Sequence, residues 1–79
     1  YMEGHHALPM NFQKEISVNL DVYANIVCLC PVCHRRIHYG IKDDRAMMIG
    51  KIYDSRGLRL ANCGIKMSKT DFIDAAIGQ

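Results

Sequence analysis

Apolar residues along this chain fall into groups with different spacings. Residues 1–6 can form one short strand, and Ile26, Val27, Cys28 and Leu29 form a continuous β-prone run that reads as a second. Between them, Leu8-Pro9 and the mixed polar and apolar residues 11–24 read as a long loop. Pro31 ends the second strand and opens a helix that stops near Tyr39-Gly40, with the glycine as C-cap. Beyond it, Met48, Ile49, Ile52 and Tyr53 recur at helical steps behind Asp43 or Asp44 as cap; Gly50 weakens this helix and Gly57 is expected to end it. Residues 58–65 are ambiguous between helix and extended chain. Ser68 and Asp71 have capping-box spacing, with Asp in place of Glu, and Phe72, Ile73, Ala76 and Ile77 form the buried face of a last short helix.

The predicted fold class is therefore α+β: two short antiparallel strands joined by a long loop, a helix packed beside them, and two further helices. With 79 residues the chain is one small domain, of a size that usually gains stability from a metal, a disulfide or a partner. Ten Lys and Arg against eight Asp and Glu leave a formal charge of +2, too small to prove a nucleic-acid partner. No apolar run reaches membrane-span length, and the N-terminus lacks a basic segment followed by an apolar one, so neither insertion nor secretion is indicated and a cytoplasmic location is expected. In a reducing compartment the four cysteines, two of them in a Cys-x-x-Cys spacing, read as metal ligands or free thiols. Because the chain opens on Tyr1 and reaches a His pair within five residues, it is expected to be the C-terminal piece of a longer polypeptide.

The chemistry lies in His5-His6, Asn25 and the run Cys30-Pro-Val-Cys33-His34-Arg35-Arg36-Ile-His38. Neutral imidazole binds divalent metals and titrates near neutral pH, so one His of a pair can hold an ion while its neighbour moves a proton. On a helix opened by Pro31, His34 and His38 stand four apart and share a face, where both can reach one ion. This combination points to metal-assisted hydrolysis. A lone His pair carries little weight; the matching spacings of Asn25, His34 and His38 supply the rest.

Taken in order, the strand ending in His-His, the long loop, the Asn, the second strand and the Cys-x-x-Cys-His-x-x-x-His helix resemble the HNH endonucleases of the ββα-metal type, in particular bacterial members with a zinc-ribbon-like Cys pair. Residues 3–40 carry the resemblance. It implies a ββα-metal core over residues 1–40, with residues 41–79 a helical extension of the same domain. It further implies His6 as general base, and His5, His34 and His38 as ligands of one divalent cation (Mg²⁺, Mn²⁺, Ni²⁺ or Zn²⁺). Asn25 would be the middle N that ties down the loop aiming His6 at the scissile phosphate, and Glu3 would orient a histidine from behind. DNA is the implied substrate, with restriction or defence as the setting. Arg35 and Arg36, beside the ligands, would contact phosphates without reading sequence. Both a monomer and a homodimer are compatible with the chain.

Cys30 and Cys33 depart from the resembling proteins, where an upstream Cys-x-x-Cys completes a structural zinc site, because two thiolates are half of a tetrahedral set. Such a pair is absent from these residues. Either it lies on a segment outside the chain, or Cys28 and Cys63 complete the site, or the pair is unmetallated. The first is favoured, since Cys28 sits inside the apolar strand and is expected in the core, and Cys63 is expected as a buried free thiol. The alternative function is a non-catalytic zinc-binding module for nucleic acid or protein, built on Cys30, Cys33, His38 and one further thiol; it leaves His5, His6 and Asn25 without a role.

Overall fold

A computed structural model describes residues 1–77. It has the expected α+β architecture: β1 (Glu3–His6) and β2 (Ile26–Leu29), then α1 (Pro31–Tyr39), α2 (Lys42–Asn62) and α3 (Lys69–Ile77). The strands pair antiparallel in the register Glu3 to Leu29, Gly4 to Cys28, His5 to Val27 and His6 to Ile26. Side chains alternate between the faces of a strand, so this register decides what each residue meets. The His5–Val27 pair is buried, at 7% and 6% exposure. Cys28, one step along from Val27, therefore faces out and is exposed, correcting its expected place in the core.

The connection from β1 to β2 is more ordered than the expected loop, with 3-10 turns at Met10–Glu15 and Tyr23–Asn25. Fully buried Leu8 and Leu20 anchor it in the core. The Gln13 amide links the turn to the returning chain: Oε1 accepts from Leu20 N–H (2.8 Å), and Nε2 donates to the Val18 carbonyl (2.6 Å).

α1 begins as expected, with Pro31 in its first turn and Cys30 as N-cap. Its C-cap is Gly40, whose backbone is extended rather than left-handed; a Cβ there would lie 2.5 Å from the Arg36 carbonyl oxygen, so only glycine fits. α2 differs from expectation at both ends. Ile41 occupies its N-cap without a side-chain bond, while Asp43 and Asp44 lie in the first turn, where their charge favours the helix dipole. Gly57 does not end it: the helix continues to Asn62 and closes at Gly64, with φ +90°. There Gly64 N–H donates to the Ala61 carbonyl (3.0 Å) and Ile65 N–H to that of Leu60 (2.9 Å), a Schellman closure whose flanking residues, Leu60 and Ile65, are both buried. The ambiguous stretch is thus helix as far as Asn62. Cys63, at the C-cap, is exposed rather than buried.

Gly50 has a packing role. A Cβ on it would stand 3.3 Å from Lys69 Cε and 3.6 Å from Ile73 Cδ1, so the missing side chain lets α3 approach α2. Ser68 Oγ accepts from Asp71 N–H (3.1 Å), the expected cap of α3, and Phe72 and Ala76 are buried beneath it. One apolar cluster, including Leu8, Leu20, Ile37, Ile49, Leu60 and Phe72, joins the loop to all three helices. The β-β-α unit is thereby seated on α2 and α3. Among the described residues no helix is long and apolar enough to cross a membrane.

Candidate metal centre

Two elements deliver three imidazoles to one point. β1 turns His5 inward, and α1, packed beside it, presents His34 and His38 one helical turn apart. The ring of His5 lies 5.3 Å from that of His34 and 4.9 Å from that of His38, and those two rings are 4.9 Å apart. One ring nitrogen from each falls within 4.8 Å of the others.

The electrostatics keep lone pairs available. Burial, then the neighbouring His38, His34 and His6, lowers the His5 pKa from 6.5 to about 4. Burial, then His34 and Arg45, also lowers that of His38. Both rings are therefore neutral at pH 7, the form that binds a metal. Glu3 Oε1 accepts a hydrogen bond from His34 Nδ1–H (2.9 Å), so the neutral ring carries its lone pair on Nε2. A carboxylate behind a histidine is the usual support of a metal ligand. The donor type, the His34 tautomer and the neutral His5 and His38 rings together fit a divalent cation.

His6 stands at the edge of this group. It helps line an open cavity of about 240 Å³ with the three imidazoles, Pro9 and Met10, and its Nε2 lies 3.1 Å from Asp21 Oδ1. Asn25, fully buried, spends its whole amide on the loop: Oδ1 accepts from Leu8 N–H (2.8 Å), and Nδ2 donates to the Leu8 and Leu20 carbonyls (2.9 Å each). Its backbone carbonyl also accepts from Ala7 N–H (2.7 Å), directly after His6. Neither Arg35 nor Arg36 lines the cavity; both are exposed, and Arg36 pairs with Asp44 at 3.2 Å.

Cys30 and Cys33 sit together at the start of α1. Cys30 Sγ accepts from Cys33 N–H (3.4 Å), the foremost of the hydrogen bonds that lower the Cys30 thiol pKa, whereas the bond between the two thiols raises that of Cys33. Among the described residues no third His, Cys, Asp or Glu ligand atom joins them, and Cys28 and Cys63 are exposed elsewhere. Two residues of the site region were not picked out from the sequence. Asp21 and Gln13 become visible only once the loop is folded, because their partners His6 and Leu20 are 15 and 7 residues away.

Over 39 residues, 49% of its length, the chain is 44% identical to the type IV methyl-directed restriction enzyme EcoKMcrA of Escherichia coli (strain K12); the chain spans only 12% of that protein. No family model matches it. No solved structure matches it either.

Proposed function

We propose that this chain is the catalytic region of an HNH-type endonuclease that hydrolyses DNA phosphodiester bonds, in restriction of foreign DNA. The observation that carries the reading is the convergence of His5, His34 and His38, with His6 outside that trio at the same cavity edge. Similarity to a restriction enzyme supports it independently. Residues 1–40 would form the reactive ββα unit and residues 41–79 its support.

Hydrolysis needs an in-line nucleophile, a base to take its proton, and positive charge on the oxygens that become more negative. His5, His34 and His38 would hold a Mg²⁺, Mn²⁺, Ni²⁺ or Zn²⁺ ion, which when bound supplies that charge at the phosphate and the leaving 3′ oxygen. His6 takes the proton of the attacking water on its free ring nitrogen. Asn25 clamps Leu8, two residues past His6, so the base keeps its aim as the proton moves. Glu3 holds the His34 ring in its ligating tautomer. Arg35 and Arg36 meet neighbouring phosphates, Arg36 by exchanging Asp44 for the nucleic acid. A non-catalytic zinc module has less support, because the thiol pair gathers no third ligand among the described residues.

The test is cleavage of unmodified and methylated plasmid DNA by purified protein with and without chelation. EDTA should abolish cutting, and Mn²⁺, Mg²⁺, Co²⁺ or Ni²⁺ should restore it to differing extents. His6→Ala should lower cleavage about a hundredfold to ten-thousandfold with metal affinity retained, whereas His34→Ala or His38→Ala should weaken both. Cutting undiminished by thorough chelation would overturn the reading, and loss of metal from His6→Ala but not His5→Ala would reverse the two roles.

A further inference from the structure

The contact between His6 and Asp21 asks more of the loop than holding a base in place. A carboxylate accepts hydrogen bonds, so at 3.1 Å from Asp21 Oδ1 a neutral His6 ring must carry its proton on Nε2, and its lone pair is then on Nδ1. Which nitrogen of a histidine is free to accept a proton is set by the bond the other one makes. We infer that Asp21 is a positioning residue of the proposed nuclease, holding His6 in the Nε2–H tautomer so that Nδ1 is the proton acceptor.

The loop is built to deliver Asp21 to that place. Leu20, immediately before it, is fully buried and held by two side chains: Gln13 Oε1 accepts from its N–H and Asn25 Nδ2 donates to its carbonyl. Asp21 N–H donates to Asn19 Oδ1 (2.9 Å), which orients the next peptide. The same Asn25 amide grips Leu8, two residues after His6. One buried side chain thus registers base and carboxylate against each other, across 15 residues of sequence. The pair itself is partly exposed, with side chains 34% and 64% accessible, so it adds little to stability and Asp21 variants should fold normally.

This inference rests on the nuclease reading, and two measurements keep them separate. Long-range ¹H–¹⁵N NMR, in a chain with only four histidines, reports the His6 tautomer directly above neutral pH. Wild type should show the proton on Nε2. Asp21→Ala should give a mixture, and Asp21→Asn, whose amide can donate to Nε2, should favour Nδ1–H. In cleavage assays both variants should lose about tenfold to a hundredfold in kcat, with KM and metal affinity unchanged. A wild-type Nδ1–H tautomer, an unaltered tautomer in Asp21→Ala, or full kcat in both variants would overturn the inference. A protein that shows the tautomer change yet cuts no DNA would uphold the Asp21–His6 coupling and sink the nuclease reading alone.

Discussion

Asn25 places three side-chain hydrogen bonds in a spot with no access to water, so its replacement leaves backbone groups of Leu8 and Leu20 unpaired. An unsatisfied buried group costs about 1–3 kcal/mol. Asn25→Ala should therefore lower thermal stability by at least that much, and cleavage should fall while affinity for the three-imidazole metal changes little. Asn25→Asp keeps the acceptor for Leu8 N–H but loses both donated bonds, and should recover part of the activity at most. Melting curves with parallel metal titration check this; wild-type behaviour in both variants would reduce Asn25 to an ordinary turn residue. At this scale the pairing of His34 and His38 on one helix face was legible from their spacing, whereas His5 was matched to them by the family resemblance and its inward turn comes from the strand register. Asp21 and Gln13 were not, since nothing local to either residue says which partner a folded loop will bring.

Elements were legible where a residue acts on its own neighbours and obscure where one glycine had to be chosen over another. Pro31, Gly40 and Ser68 mark boundaries by local chemistry, and all three do so in the fold. Gly57, with Tyr53 before and Leu58 after, looks as able to end a helix as Gly64, with Leu60 and Ile65 at the same offsets, yet in the fold Leu58 is exposed while Leu60 and Ile65 are both buried, so the apolar closure forms at Gly64. Their substitutions should have opposite signs. Gly57→Ala puts a methyl at ordinary contact distance, 3.6 Å from the Tyr53 ring, in a helix interior, and should stabilise by about 0.5–1 kcal/mol. Gly64→Ala forces φ +90° on an L side chain and meets Val18 Cγ1 at 2.9 Å, so it should destabilise by about 1–2 kcal/mol or more. Chemical denaturation of the two variants decides it; equal effects would remove the Schellman closure as the reason α2 stops there.

For the whole molecule the same imidazoles that would hold the proposed ion also weaken the metal-free fold in acid. His5 titrates at about 4 when folded against 6.5 as its ordinary value, so between these pH values the unfolded chain holds a proton the folded chain does not. Stability due to this group is complete above 6.5 and is lost as pH falls through that window, by up to about 3 kcal/mol. The lowered His38 acts in the same direction. Metal-free protein should therefore lose melting temperature between pH 6.5 and 5, above the range where ordinary carboxylates titrate, and His5→Gln should lose less over the same interval. A divalent ion at a hundred times its Kd should add about 2.7 kcal/mol near pH 7.5. That increment should shrink as pH approaches 4, because protons then compete for the lone pairs that hold the ion. Parallel melts of wild type and His5→Gln, with EDTA or with added Zn²⁺ or Ni²⁺, measure both effects. Identical pH profiles for the two proteins would mean that His5 does not share its protonation with folding, and a metal increment that persists in acid would mean that the three rings do not hold the ion.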